Sequence, residues 1–215
     1  MIMDTLDPQR FLSALLHMGI DRYVSGGREE PTLTSLKAKV SRCTRCELSR
    51  SRKSVVFGEG NERARVVFVG EAPGEEEDRQ GRPFVGRAGK LLDQMIERIG
   101  LNRKDVFICN VLKCRPPNNR DPEAREVEVC KGYLVAQLAL IKPNLICTLG
   151  KHAYNTLMGV DARITKVRGI LTSYKGTKLL PTYHPSYLLR NQGAIKEAYE
   201  DMEKVKSLLA GSSPR

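Results

Sequence analysis

One stretch of the chain, residues 70–92, contains the side-chain types that a catalytic loop needs. It follows the apolar run Val66–Val69, whose β-branched residues predict a buried strand that ends at Gly70. Ligands of open α/β sheets bind at the carboxyl ends of the strands, so Glu71 and Phe84 can supply a carboxylate and a stacking ring there. A glycine-rich connection with a solvated acidic surface is the alternative interpretation.

A second polar segment, Pro181–Arg190, contains His184, one of three histidines in the chain. Imidazole can donate a hydrogen bond or transfer a proton near neutral pH. Taken alone, His184 is better explained as a structural residue, as are His17 on a helix surface and His152 at a helix start. Asn110 interrupts an apolar strand, where an unsatisfied amide costs about 1–3 kcal/mol, so its side chain needs a partner.

The cysteines indicate metal ligation rather than disulfides, because the chain is expected in the reducing cytoplasm. Four of them can form one site: Cys43-x-x-Cys46 is a chelating pair, Cys114 ends a strand, and Cys130 lies in a helix. Four thiolates fit either Zn²⁺ or an iron–sulfur cluster, and the spacing alone leaves both open. The other two lie in apolar strand patterns and are interpreted as buried hydrophobic residues, namely Cys109 and Cys147.

Strands alternate with helices, which predicts an α/β fold with three α/β/α layers around a central, mainly parallel sheet. The predicted strands are Val55–Phe57, Val66–Val69, Asp105–Leu112, Leu145–Leu149, Gly169–Ser173 and Lys178–Thr182. The predicted helices are Thr34–Val40, Gly89–Ile99, Pro122–Leu140, Lys151–Met158 and Ala194–Leu209.

Residues 1–30 predict an N-terminal amphipathic helix and a flexible linker, and residues 31–215 predict one folded domain. Neither a signal peptide nor an apolar run long enough to span a membrane occurs in the sequence. The net charge is +11, from 36 Lys and Arg against 25 Asp and Glu, which favours a polyanionic partner. Six of the basic residues lie between Arg163 and Arg190, where no acid occurs.

The segment from Gly70 to Leu92 resembles the first active-site motif of the family 4 uracil-DNA glycosylases, the iron–sulfur members of that superfamily. The His184-Pro185-Ser186 run resembles the second motif of that superfamily, and Asn110 matches the strand-end asparagine that reads uracil. The resemblance spans roughly residues 34–209. It implies a catalytic domain over residues 31–215 that hydrolyses the N-glycosidic bond of deoxyuridine in single- or double-stranded DNA and leaves an abasic site.

The resemblance also implies roles for individual residues. It assigns a [4Fe–4S] cluster to Cys43, Cys46, Cys114 and Cys130. Within the pocket, Phe84 would stack on the extruded base, Asn110 would bind the uracil imide edge, and His184 would donate to uracil O2. Family 1 enzymes have an aspartate where this chain has Ala72, so Glu71 is the nearest carboxylate for positioning water or stabilising the cationic sugar. The substrate-binding set is therefore Glu71, Ala72, Phe84, Asn110 and His184.

Contacts to the DNA backbone are expected on the basic segment that includes the second motif. Leu188 matches a wedge residue that fills the gap left by a flipped base, although it also fits a core leucine. The expected phosphate-binding residues are Ser186, Arg190, Lys166 and Arg168. We expect a monomer that binds uracil-containing DNA and no membrane.

Two other functions compete with this interpretation. A non-catalytic nucleic-acid module would use the metal site only to organise a basic surface, and Glu71, Asn110 and His184 need not converge in it. A uracil-binding variant that traps DNA covalently would carry a basic, histidine-bearing insertion after the first motif. Residues Glu77–Pro83 are compact and contain no histidine, which disfavours that variant.

Overall fold

A six-stranded sheet forms the centre of the computed structural model, which describes residues 32–211. Its strands are β1 (Glu59–Gly60), β2 (Val66–Gly70), β3 (Phe107–Asn110), β4 (Leu145–Leu149), β5 (Thr172–Tyr174) and β6 (Thr177–Thr182). The spatial order is β1-β3-β2-β4-β6-β5, and only the edge strands β1 and β5 run antiparallel to their neighbours. The predicted N-terminal helix and linker lie outside the described residues.

The four central strands β3, β2, β4 and β6 are parallel, so their carboxyl ends meet at one edge of the sheet. The register places Gly70 beside Asn110, and Thr148 beside Pro181. β2, β3 and β4 are buried along their whole length, as parallel strands covered on both faces must be. The end of each central strand can therefore contribute a side chain to a shared cleft.

Nine α-helices follow in chain order within the described residues. They are α1 (Leu33–Ser41), α2 (Leu48–Ser51), α3 (Glu75–Gln80), α4 (Arg87–Arg98), α5 (Ala124–Ile141), α6 (Lys151–Met158), α7 (Ile164–Val167), α8 (Pro185–Arg190) and α9 (Ile195–Ala210). Short 3₁₀ turns occupy Pro117–Asn119 and Gln192–Ala194. In residues 32–211 no helix has the length and apolar character of a membrane span.

The helices cover both faces of the sheet and create two hydrophobic cores. Along β2, Val67 and Val69 pack with α1, α5 and α6, whereas Val66 and Phe68 pack with α4, α8 and α9. This alternation follows from the two-residue period of a strand. The predicted three-layer α/β/α fold is confirmed.

Some predicted boundaries are wrong. Val55–Phe57 is not a strand: the backbone N–H of Val56 bonds to the carbonyl oxygen of Lys113 at 2.8 Å, and the Phe57 carbonyl accepts from the side chain of Gln137 instead of a neighbouring strand. Its apolar side chains pack in the core, but its backbone does not pair with a neighbouring strand. The antiparallel strand at this edge of the sheet is β1. The predicted strand Asp105–Leu112 is shorter at both ends, and the predicted strand Gly169–Ser173 begins three residues later, at Thr172.

Candidate active site

A cleft with a volume of about 850 Å³ lies at the carboxyl ends of the central strands. It brings together residues that are far apart in the sequence, because the parallel topology gathers these strand ends at one edge. All five predicted substrate-binding residues line it, namely Glu71, Ala72, Phe84, Asn110 and His184. The convergence that a non-catalytic module does not require is therefore present.

Asn110 ends β3 with an unsatisfied polar atom. The side chain is buried, and its Oδ1 has no hydrogen-bond partner among the described residues. A Cβ on the neighbouring Gly70 would lie 2.3 Å from this oxygen and 2.6 Å from the Phe84 ring, so glycine is needed where the three residues meet. An unmet buried acceptor costs about 1–3 kcal/mol, and a ligand N–H in the cleft would relieve that cost.

Phe84 is held in a strained backbone conformation at the floor of the cleft. Its φ is 50°, in the left-handed region, which costs a non-glycine residue on the order of 1 kcal/mol. The Arg103 guanidinium donates to the Phe84 carbonyl at 3.0 Å and also to the Pro83 carbonyl. The same guanidinium forms ion pairs with the carboxylates of Glu59, at 2.7 Å, and Asp93, at 2.8 Å. These contacts fix the ring 5.6 Å from the His184 ring, at an angle of 34°.

Glu77 stabilises the same loop from the other side. Its Oε1 accepts hydrogen bonds from the backbone N–H groups of Val85 and Gly86, both at 3.0 Å. The carboxylate therefore links α3 to the backbone at the start of α4 by hydrogen bonds.

His184 presents a hydrogen-bond donor to the cleft. Its Nδ1 accepts from the backbone N–H of Ser186 at 3.1 Å, so in the neutral ring the proton is on Nε2. Burial, with smaller contributions from the nearby Arg190 and His152, lowers the pKa of His184 to about 4. The imidazole is therefore neutral at physiological pH and still able to donate.

Glu71 has a histidine neighbour that sequence analysis placed only at a helix start. His152 lies in the first turn of α6, with its Nε2 3.7 Å from a carboxylate oxygen of Glu71 and 3.4 Å from one of Asp121. Burial raises the pKa of Glu71, His152 lowers it, and Asp121 raises it. Glu71 is thus a partly desolvated carboxylate beside the imidazole of His152.

A second, smaller cavity is lined by the four cysteines of the predicted metal site, Cys43, Cys46, Cys114 and Cys130. Two N–H groups point at their sulfurs: Arg52 Nη1 lies 3.2 Å from Cys114 Sγ, and the Lys113 backbone N–H lies 3.3 Å from Cys130 Sγ. All six cysteines are free of disulfides, and Cys109 and Cys147 are fully buried in β3 and β4. The donor set is that of a thiolate-ligated centre.

In residues 32–211, three potential ligand atoms lie within 4.8 Å of one another at Glu71, Asp121 and His152. At the cysteine cavity the donors are thiols, which suit Zn²⁺ and an iron–sulfur cluster alike.

Two of the predicted DNA-contact residues need correction. Leu188 is 1% exposed and packs in the core beside α4, so it cannot act as a wedge in this conformation. Its neighbour Leu189 is 44% exposed and lines the cleft. Arg168 pairs with the buried Asp201 at 2.6 Å and donates to the Glu197 carbonyl, so its guanidinium stabilises the fold.

The other three predicted DNA-contact residues lie on the surface in different places. Ser186 and Arg190 line the cleft, whereas Lys166 is exposed on α7 outside the cleft lining. Two further basic residues at the rim, Arg87 and Lys151, were not predicted. Each sits in the first turn of the helix that follows a cleft loop, a position that a sequence-based helix prediction can locate.

Comparison with known proteins agrees with this geometry. The family model described as the uracil DNA glycosylase superfamily matches residues 57–205. Proteins named type-4 uracil-DNA glycosylase from Thermotoga maritima and Sulfurisphaera tokodaii are each 48% identical to the chain. The first match covers 84% of the chain and 96% of the relative, and the second covers 82% and 84%. A protein of the same name from Archaeoglobus fulgidus is 42% identical over 85% of the chain and 96% of its own length.

A family model that matches most of the chain, together with relatives that are 42–48% identical over more than four fifths of it, shows that the chain belongs to the type-4 uracil-DNA glycosylases, which are monofunctional DNA glycosylases.

Proposed function

We propose that the enzyme hydrolyses the N-glycosidic bond of deoxyuridine in single- and double-stranded DNA, releases uracil and leaves an abasic site. The observation that carries the proposal is the unsatisfied Oδ1 of Asn110, which lies in one cleft with Phe84 and a neutral His184. The target base reaches this cleft by leaving the helix stack, which costs a few kcal/mol and least at a mispaired base.

Uracil is distinguished from cytosine by the direction of its hydrogen bonds. Asn110 Oδ1 accepts from the imide N3–H of uracil, and its amide N–H donates to O4. Cytosine presents an acceptor at N3 and an amino group at C4, so both bonds would be lost and the Asn110 amide would stay unsatisfied. Phe84 provides the stacking surface.

Bond cleavage leaves positive charge on the sugar and negative charge on uracil, which is shared with O2. The Nε2–H of His184 donates to O2 as that charge develops, and a donor of this kind is worth roughly 2.7–4 kcal/mol. Because Phe84 and Ser186 fix the ring before substrate binds, little reorganisation is needed.

Glu71 is proposed as the carboxylate that positions the attacking water or stabilises the cationic sugar. Ala72 supplies no side-chain acid at the next position, and its contribution is to the wall of the cleft. We assign backbone binding to Arg87, Lys151, Ser186 and Arg190, and the wedge that replaces the flipped base to Leu189.

The cofactor is proposed to be one [4Fe–4S] cluster on Cys43, Cys46, Cys114 and Cys130. It would supply structure rather than catalysis, since it would join the segment between α1 and α2 to the loop after β3 and to α5. Free thiols of this kind require a reducing compartment, and we propose the cytoplasm. We further propose that the protein acts as a monomer.

The direct test is incubation of the iron-loaded protein with DNA strands that contain one uracil, single-stranded or paired with guanine or adenine. Alkali cleavage at the uracil position reports abasic sites, and the same strands with cytosine or thymine are the control. Cleavage only at uracil is expected. Absence of abasic sites in all uracil substrates would refute the proposed reaction.

A further inference from the structure

Lys113 lies between the cysteine site and the cleft, and neither motif includes it. Its side chain is 1% exposed, which is rare for lysine unless the charge is paired. The ammonium donates to the backbone carbonyl of Asn110 at 2.7 Å and to Oε1 of Gln137 at 2.5 Å. Gln137 is itself anchored to the Phe57 carbonyl at 2.8 Å. Within residues 32–211 these two neutral oxygens are its hydrogen-bond acceptors.

The backbone of Lys113 lies against the cysteine site. The backbone N–H of Lys113 points at Cys130 Sγ, and Cys114 is the next residue in the chain. Arg52 is the other cation there, bonded to Cys114 Sγ at 3.2 Å and to the Cys43 carbonyl at 2.8 Å. Lys113 and Arg52 therefore both bond to the cysteine site, Lys113 through its backbone N–H and Arg52 through its guanidinium.

The two side chains differ in what else they contact. Among the described residues, the Arg52 guanidinium bonds to Cys114 Sγ and to the Cys43 carbonyl. Lys113 also holds the end of β3, where the Val111 N–H bonds to the Gly70 carbonyl and the Leu112 N–H bonds to the Glu71 carbonyl, both at 2.9 Å. A shift of the ammonium would therefore move the backbone that carries both the base-reading amide and the catalytic carboxylate.

We propose that Lys113 is a positioning residue that couples the cysteine site to uracil recognition. The bound cluster would fix the Lys113 backbone through Cys130 and Cys114, and Lys113 Nζ would hold the Asn110 backbone in its base-reading position. This inference rests on the proposed function. Lys113 does not contact uracil and acts through Asn110.

The chain offers a matched pair of variants. Lys113→Met and Arg52→Met each remove one cation from the cysteine site, but only Lys113→Met removes a contact to Asn110. The probe is a DNA duplex with one 2′-fluoro-deoxyuridine, in which the fluorine destabilises positive charge on the sugar and prevents cleavage. Its affinity is compared with that of the same duplex carrying 2′-fluoro-deoxycytidine, alongside iron content and visible absorbance.

We expect the ratio of the affinities for the uracil and cytosine duplexes to fall about tenfold in Lys113→Met, which is the effect of losing one hydrogen bond. The affinity for the cytosine duplex should stay unchanged. Arg52→Met should keep the preference even where it binds iron less firmly. A Lys113→Met protein that contains iron and keeps the full wild-type preference would overturn the proposal.

A second measurement uses the wild-type protein and does not depend on whether the variant folds. If cluster and uracil are coupled, each must stabilise the binding of the other. Iron release to a chelator should then be slower with the uracil duplex than with the cytosine duplex, in wild type and Arg52→Met but not in Lys113→Met. Equal release rates in the wild type would overturn the coupling.

Uracil excision is measured first in the same wild-type preparation. Absence of excision counts against the proposed reaction. Excision together with equal iron-release rates counts against the coupling alone.

Discussion

At Asn110, the identity of two side-chain atoms decides which base is accepted. Asn110→Asp keeps the shape of the side chain but replaces the amide donor with a second oxygen. We expect single-turnover excision of uracil to fall by about tenfold or more, with lower discrimination against cytosine, because one hydrogen bond is lost and one acceptor is left unmet. Quenched-flow assays on uracil and cytosine substrates measure both effects.

Asn119→Asp is the matched control, since Asn119 is an amide on the rim of the same cleft. It should leave discrimination unchanged. Loss of discrimination of equal size in both variants would show that added negative charge, rather than the position of the amide, causes the effect.

The titratable groups of the cleft predict a particular pH profile. The pKa of His184 is lowered to about 4, so the imidazole stays neutral from about pH 5 to about pH 8 and does not cause an acid limb there. Burial raises the pKa of Glu71, so a rate that needs its carboxylate falls as the pH drops through that raised value. Glu71→Gln should lower the rate and abolish this acid limb in single-turnover assays.

Two substitutions at His184 separate donation from charge. His184→Ala removes the donor to O2 and should slow excision by roughly 10²–10³-fold, whereas His184→Gln keeps an N–H donor and should lose less. An acid limb near the ordinary pKa of histidine that disappears in His184→Gln but persists in Glu71→Gln would contradict the assignment.

At the scale of elements, the cleft depends on how closely α4 approaches the Phe84 loop. Gly89 lies in the first turn of α4, and a Cβ there would be 1.8 Å from the Phe84 carbonyl oxygen. Gly89→Ala should displace the loop at a cost of about 1–3 kcal/mol, seen as weaker binding of a uracil duplex or a lower free energy of unfolding. Gly193→Ala is the control, because a Cβ at Gly193 would have no neighbouring atom within 4 Å. A similar loss of duplex binding or stability in Gly193→Ala would refute this explanation.

The elements also show what sequence patterns can locate. Val66–Val69 and Leu145–Leu149 were predicted almost to the residue, because strands buried on both faces give uninterrupted apolar runs. Leu188 was misassigned because a six-residue helix allows two adjacent leucines to face either way, and only packing against α4 decides between them. Arg103 and Lys113 gave no signal, since their partners are set by tertiary contacts.

At the scale of the whole molecule, the metal content is a direct test of the cysteine assignment. The purified protein should be brown and contain about four iron atoms and no zinc per chain. Cys130→Ser should lose the visible absorbance, whereas Cys147→Ala should keep it because Cys147 is buried in β4. Elemental analysis that finds zinc without iron, or an intact cluster in Cys130→Ser, would contradict the assignment.

DNA affinity should depend strongly on salt, because each phosphate contact releases condensed counterions. Replacing the exposed rim residues Arg87, Lys151 and Arg190 with Gln should reduce the slope of log affinity against log salt by about 2–3. Fluorescence anisotropy at several salt concentrations measures the slope.

The surface predicted from the sequence is tested by replacing Lys166 and Lys178, both exposed outside the cleft lining. These changes should alter the slope little. A larger effect from this pair than from the rim residues would place the DNA on the α7 face.

The position of the cysteines along the chain has a consequence for the order of folding. Cys43 and Cys46 belong to a segment that adds no strand to the sheet, and their partner Cys130 lies 84 residues beyond Cys46. The sheet pairs strands over a similar separation, since Val66 lies beside Leu145, so the thiolate site and the sheet both wait for the second half of the chain. During synthesis, insertion of the proposed cluster must wait until α5 has left the ribosome. A shortage of iron would leave the segment of Cys43 and Cys46 attached to the domain by the apolar packing of α1 and α2 alone, and therefore more open to proteases.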